Sequence, residues 1–180
     1  MKKLFCCVAL TAAIGLSASQ SALAVVGDQQ GVMTFTATIA PTTCVLSGAD
    51  INHTGLTAST KDTWASTSQA TLINYDDNIR VTSCPDTMAK IQMTPTYTKA
   101  DATGTIMQNS VSTGGATEVE AVMGNAGYST VYADKQVQEF TLSGGAVDIP
   151  LSTKIRHTTG TTKATTGAMT FGATLAFTQP

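Results

Sequence analysis

Residues 31–44, GVMTFTATIAPTTC, open with alternating apolar and threonine side chains, the pattern of a β-strand with one buried face. The apolar face comprises Met33, Phe35, Ala37 and Ile39. Residues 169–180, MTFGATLAFTQP, repeat this alternation near the other end of the chain, with an apolar face of Met169, Phe171, Ala173, Leu175 and Phe177. Each segment therefore predicts a strand that needs an apolar partner.

The first 24 residues, MKKLFCCVALTAAIGLSASQSALA, have the layout of a secretory signal peptide. Two lysines precede an uncharged apolar run, and Ala22-Leu23-Ala24 supplies the small residues of a cleavage site. We expect cleavage after Ala24 and export of the mature chain. No later segment approaches the roughly 20 apolar residues of a membrane-spanning helix, so we expect a soluble exported protein.

Four cysteines are present, and Cys6 and Cys7 would leave with the signal. Cys44 and Cys84 would then remain in an oxidising compartment, where a disulfide is the simplest outcome. A metal site would need more ligands than this pair and two well-separated histidines, His53 and His157, readily offer. The sequence thus favours a disulfide and predicts neither a metal nor a cofactor.

The chain has 10 basic and 12 acidic residues, and losing Lys2 and Lys3 with the signal would change the net charge from −2 to −4. Its scattered cations offer no electrostatic footprint for nucleic acid or an anionic membrane. Only 12% of the residues are charged, while threonine, serine, alanine and glycine are abundant. This composition is typical of a β protein, and the length predicts one domain.

Further period-two windows are separated by Gly, Asn, Asp and Pro turn signals, which predicts an all-β sandwich. The windows lie around residues 79–81, 91–93, 119–123 and 147–155. Residues 48–69 have a weaker pattern and predict a loop with a short edge strand or one helical turn around Trp64.

Catalytic patterns are missing from the sequence. It has only two histidines and contains neither a G-x-S-x-G nor an S-x-x-K motif, so we expect a protein that is not an enzyme. Asp76 and Asp77, within NYDDN, could bind a cation or act as acid and base, but carboxylates beside asparagines favour a solvated turn.

The chain resembles the chaperone–usher pilins of Gram-negative bacteria, such as the rod subunits of type 1 and P pili. The likeness rests on GVMTF ahead of Cys44, a second cysteine 40 residues later after NIRVTSC, the segment AVDIPLSTKI and the final alternating strand. It covers nearly all of the chain beyond the signal. The resemblance implies an immunoglobulin-like β-sandwich that lacks its final strand and is completed by a donor strand from a neighbouring subunit.

By this resemblance the chain divides into a signal peptide (1–24), an N-terminal donor-strand extension (25–35) and a pilin domain (36–180). The donor strand would present one face to a neighbour's groove through Val25, Gly27, Gln29, Gly31, Met33 and Phe35. The acceptor groove, also the chaperone-binding strand, would use Gly167, Met169, Phe171, Ala173, Leu175 and Phe177. Gly31 would fit where the groove admits only bare backbone, and the extension would contribute little to its own subunit's fold.

The function implied is a structural fimbrial subunit that polymerises by donor-strand exchange into a surface pilus used for adhesion. We expect the major rod subunit rather than a minor adaptor. Its partners would be copies of itself, related pilins, a periplasmic chaperone and an outer-membrane usher, and not nucleic acid. The alternative is a free-standing periplasmic or secreted β-sandwich that binds a carbohydrate or protein ligand and forms a stable monomer.

Overall fold

The computed structural model describes residues 28–39, 44–59 and 62–180. The predicted signal peptide, Val25 and Gly27 lie outside these ranges. Ten strands follow one another along the described chain: β1 Asp28–Ile39, β2 Val45–Ser47, β3 Ile51–Ser59, β4 Thr71–Thr82, β5 Lys90–Tyr97, β6 Met107–Gln108, β7 Val119–Gly124, β8 Gln138–Thr141, β9 Val147–His157 and β10 Ala168–Thr178. The helical elements in these ranges are two short 3-10 turns, Thr63–Ser66 and Ala126–Tyr128, so the all-β prediction is confirmed.

Two five-stranded sheets form the fold. Sheet 1 has the order β3-β1-β10-β5-β8, and sheet 2 has the order β2-β4-β9-β7-β6. The pairing of β1 with β10 is parallel, whereas the other named strands pair in antiparallel fashion. Inward side chains from both sheets join one buried apolar cluster, as expected for a β-sandwich.

The period-two windows are confirmed as strands β4, β5, β7 and β9. In the weaker region, β3 is a nine-residue edge strand and a 3-10 turn buries Trp64, so both alternatives given for residues 48–69 occur. The turn predicted at Asp76 and Asp77 is wrong, because both residues lie within β4. Asp76 accepts a hydrogen bond from the Ser152 hydroxyl (2.6 Å). Asp77 pairs with His53, so each carboxylate has a side-chain partner on another strand, while Asp76 stays exposed to solvent.

The last strand, β10, alternates as the sequence predicts. Its apolar residues at 169, 171, 173, 175 and 177 are buried, whereas Gly172 and Thr174 are exposed on the opposite face. Because β10 lies at the centre of sheet 1, its inward face contributes to the core along its whole length.

The predicted disulfide joins Cys44 to Cys84 and is confirmed. Cys44 directly precedes β2, and Cys84 follows β4. These two strands pair through Val45 and Thr82, so the covalent bond reinforces the edge of sheet 2 where the backbone pairing spans only three residues.

Among the described residues, no helix combines the length and apolar character needed to cross a membrane.

Replacing Cys44 with alanine should lower the free energy of unfolding by about 4 kcal/mol, because the unfolded chain regains the entropy of an open loop. Denaturant titration of the variant and of the wild-type protein would measure this loss.

The oxidised wild-type protein should weigh two hydrogens less than its reduced form, as mass spectrometry would show. Two free thiols in freshly isolated protein would contradict the prediction.

Leu175→Asp should destabilise the protein by several kcal/mol, since it buries an unpaired carboxylate. Thr174→Asp is the matched control, because Thr174 directly precedes Leu175 and its side chain is exposed to solvent. Thermal unfolding of the two purified variants would compare them. Equal melting temperatures would show that the assigned face of β10 is wrong.

Candidate functional site

Strand β1 lies inside its own chain's sheet, between β3 and β10. Its residues from Gln30 to Ile39 pair in parallel, without interruption, with Ala168 to Phe177 of β10. Its antiparallel pairing with β3 shifts register between Gly31 and Met33. The expectation that this segment contributes little to its own subunit's fold is therefore wrong for the isolated chain.

The physical reason is the apolar face of β1, which needs burial and finds the groove of its own chain. Met33 and Phe35 are 0% and 1% exposed, respectively. They join a buried cluster with the groove residues Ile51, Leu56, Met169, Phe171, Ala173, Leu175 and Phe177. The strand also runs unbroken from Asp28 to Ile39, so no change in structure marks the predicted boundary between residues 35 and 36.

Gly31 lies where the groove has room for backbone alone. A Cβ atom at this position would lie 2.8 Å from the Met169 Cβ, 2.9 Å from the Met169 carbonyl oxygen and 3.1 Å from the Leu56 Cβ. These neighbours cannot rotate away, because they are backbone or Cβ atoms. A two-residue slip of β1 would bring Gln29 or Met33 to this position, so the contact fixes the register of the inserted strand.

The other predicted donor positions are only partly described. Gly31, Met33 and Phe35 share the buried face, whereas Val32 and Thr34 face outward. Gln29 belongs to β1, but its side chain is outside the described part of the structure, as are Val25 and Gly27 in full.

Gly167, at the start of the predicted acceptor strand, packs against the segment 114–116. A Cβ here would lie 2.4 Å from the Ala116 nitrogen. In the same segment, the Ala116 carbonyl accepts a hydrogen bond from Asn109. The side-chain amide of Asn109 also contacts β10, and the sequence analysis did not single out this residue. No motif marks this asparagine, because its role depends on a contact between residues about 60 positions apart.

The disulfide holds the chain at a point just beyond the end of β1. Cys44 follows the end of β1 by five residues and is bonded to Cys84 beyond β4. Strand β1 belongs to sheet 1, whereas β2, directly after Cys44, belongs to sheet 2. Departure of β1 from the groove therefore need not disturb the pairing of β2 with β4.

The two histidines are held in separate structural contacts. The His53 ring stacks on Tyr75 with centroids 3.9 Å apart, and its Nε2 lies 2.8 Å from Asp77 Oδ2. His157 is fully buried, with its ring nitrogens 2.8 and 2.9 Å from the carbonyl oxygens of Thr158 and Thr162. In the described ranges, no three His, Cys, Asp or Glu residues form a group that could hold a metal ion.

The shifted pKa values have local structural causes. Burial raises the pKa of Tyr97 to about 12 and that of Tyr132 to about 12. Burial opposes ionisation of Asp101, but hydrogen bonds from Thr103, Ile106 and Thr105 outweigh it and hold the pKa of that carboxyl well below its usual range. These three groups take part in core or loop contacts. The groove beside β10 offers strand pairing and apolar burial.

No protein-family model matches the chain, and no curated protein matches it. Among solved structures, the chain is similar to the CupB6 tip adhesin from Pseudomonas aeruginosa, with a TM-score of 0.49 and 12% identity over 82% of this chain and 40% of that one. It is also similar to an antigen and type I fimbria protein from Burkholderia pseudomallei, with a TM-score of 0.45 and 18% identity over 83% of this chain and 94% of that one. The chain thus spans less than half the length of the adhesin.

Gly31→Ala should destabilise the docked strand by about 1–3 kcal/mol, because the added methyl group overpacks the groove at Met169. Gly172→Ala is the matched control, since a Cβ there meets only the Thr34 carbonyl oxygen at 3.5 Å. Thermal unfolding of both variants would measure the difference. A Gly31→Ala protein as stable as the control would contradict the tight contact.

Proposed function

We propose that this chain is a structural, non-enzymatic fimbrial subunit that polymerises by exchange of β1. In the polymer, Asp28–Ile39 of one copy fills the groove between β3 and β10 of another. The observation that carries the proposal is the position of β1, which is inserted between two strands and supplies Met33 and Phe35 to the core. The same segment from a second copy offers the same side chains, which is the condition for a strand swap.

The groove needs an occupant at every stage. Without β1, its apolar walls and the backbone edges of β3 and β10 would face water, and such a surface aggregates. Each copy carries one such strand and one groove, so exchange creates a head-to-tail contact. A contact of this kind that does not close into a ring extends into a filament.

Direction of entry does not by itself favour exchange. In its own chain, β1 runs parallel to β10 and antiparallel to β3. A strand from another copy that entered antiparallel to β10 would run parallel to β3, so the gain in pairing on one side would be offset by a loss on the other. The tethered strand competes through its high effective concentration, so a factor that holds the groove open would be needed to favour exchange.

The resemblance of the sequence to chaperone–usher pilins indicates what kind of factor this would be. We infer export through the periplasm, a periplasmic chaperone that occupies the groove, an outer-membrane usher where exchange takes place, and related pilins as further partners. The product is a surface pilus used for adhesion, with this chain as its major rod subunit. Exchange at the groove requires neither a cofactor nor a catalytic group.

A second candidate is a free-standing binding module, favoured by the docking of β1 in its own sheet. In that case the sandwich is already closed. Its outer face has an open cleft of about 520 Å³ in sheet 1, lined by hydroxyl and charged groups that include Thr34, Thr36, Thr96, Thr174, Asp134 and Lys135. A hydroxyl-rich ligand such as a carbohydrate fits the chemistry of this lining.

Electrophoresis without boiling should distinguish the candidates. After incubation near its melting transition, the purified wild-type protein should form ladders that resist mild denaturant and collapse to one band on strong heating. A Phe35→Asp chain should not donate its strand, because the carboxylate would enter the apolar groove. Added to the wild-type protein, this variant should shorten the ladders by occupying chain ends.

Thr36→Asp is the matched control, since residue 36 faces outward on the same strand. It should polymerise alone and leave wild-type ladders unchanged. A wild-type protein that remains monomeric under these conditions, and also in the presence of a fimbrial chaperone, would favour the closed binding module instead.

A further inference from the structure

The first half of β10 has an unusual neighbour on the edge that faces away from β1. Strand β5 pairs with β10 only from Ala173 to Thr178. Before that point, the segment 109–116 takes the place of a strand. The Ala168 amide donates to the Gly114 carbonyl (3.1 Å), and the Ala168 carbonyl accepts from the Ala116 amide (2.9 Å).

Asn109 links this segment to β10 through both ends of its side-chain amide. Its Nδ2 donates to the carbonyl oxygens of Ala168 (3.1 Å) and Ala116 (3.0 Å). Its Oδ1 accepts from the amides of Thr170 (2.9 Å) and Val111 (3.3 Å). A side-chain amide offers both donors and an acceptor, and a carboxylate would offer only acceptors.

Two further contacts close the same junction. The Thr170 carbonyl accepts from the Ser110 amide at 2.9 Å. The absence of a side chain at Gly167 lets β10 begin against Gly115 and Ala116, since a Cβ would lie 2.4 Å from the Gly115 carbonyl carbon. The backbone groups of Ala168 and Thr170 are thus bonded without any contribution from β1.

Successive residues of a strand direct their backbone groups to opposite edges. Since Ala168 and Thr170 face the segment 109–116, the backbone groups of Met169 and Phe171 face β1. Departure of β1 would therefore remove partners from Met169 and Phe171 and leave those of Ala168 and Thr170 in place.

We propose that Asn109 is a positioning residue for strand exchange. It holds residues 168–170 of β10 in place while β1 is absent, so that the groove keeps its shape for the incoming strand. This inference rests on the proposed function, because only a chain whose β1 leaves its groove needs such support.

Amide hydrogen exchange measured residue by residue on the full-length protein tests this role. In the wild-type protein, the amides of Met169 and Phe171 should exchange at least about tenfold faster than those of Ala168 and Thr170, since opening of β1 frees only the first pair. In Asn109→Asp, which replaces two donors by a carboxylate oxygen facing two carbonyls, this difference should disappear. A wild-type protein in which all four amides exchange at one rate would overturn the proposal.

Asn125→Asp is the matched control, because Asn125 likewise binds through both ends of its amide but only within its own turn, to Ser129 and Thr130. It should keep the wild-type difference between the two pairs of amides. If Asn109→Asp does not fold, Asn109→Ser keeps a smaller hydroxyl at the position and should reduce the difference, and an unchanged difference would overturn the proposal.

Uptake of a labelled peptide with the sequence of β1, DQQGVMTFTATI, distinguishes a failure of the Asn109 proposal from a failure of the proposed strand exchange. The wild-type protein should take up the peptide at β1's place, and Asn109→Asp should take it up about tenfold more slowly. Equal uptake by both proteins would overturn the role of Asn109 and leave the proposed function standing. No uptake by the wild-type protein, despite the predicted exchange pattern, would instead overturn strand exchange and retain Asn109 as a residue that orders β10.

Discussion

Burial of the apolar groove beside β10 is the constraint on which the rest of this structure depends. The groove is lined by side chains from β3 and β10 that belong to the central core, so it cannot remain open to water without exposing that core. Strand β1 satisfies the constraint with two large side chains, Met33 and Phe35, and with ten consecutive residues paired to β10. An occupant of the groove is therefore part of the fold itself.

Two glycines allow close approach of the backbone on the two edges of β10. Gly31 lets the inserted backbone approach Met169 and Leu56, and Gly167 lets β10 begin against the segment 114–116. Both glycines serve close approach of two backbones rather than an unusual backbone angle, since neither has a positive φ. The disulfide has a complementary role, because it holds the chain just beyond β1 and reinforces the pairing of β2 with β4 in sheet 2.

A groove that is filled from within is compatible with two kinds of protein. In a closed module, β1 is a permanent strand and the outer face of sheet 1 is available for a ligand. In an exchanging subunit, β1 is one of two equivalent occupants, and the groove alternates between them. The contacts within one chain are the same in both cases, so the difference lies in the free energy of opening and in the presence of a second copy.

Much of the fold could be predicted from the sequence. Alternation at residues 31–39 and 169–177 determined two strands and the face that each buries, because the side-chain period of a strand is two. Two cysteines left after the expected signal cleavage indicated the bond between Cys44 and Cys84. The local sequence pattern wrongly predicted a solvated turn at Asp76 and Asp77. In the fold, Ser152 and His53, which are distant in sequence, form hydrogen bonds with these carboxylates.

Only the tertiary structure decided where β1 goes and what supports its groove. The alternating pattern specifies that Met33 and Phe35 need an apolar surface, but it carries no information on whether that surface belongs to the same chain. The parallel pairing with β10 and the role of Asn109 arise from contacts between residues separated by about 60 to 140 positions. Such contacts depend on how the whole chain closes, because hydrogen bonding and burial act on spatial neighbours and not on neighbours in sequence.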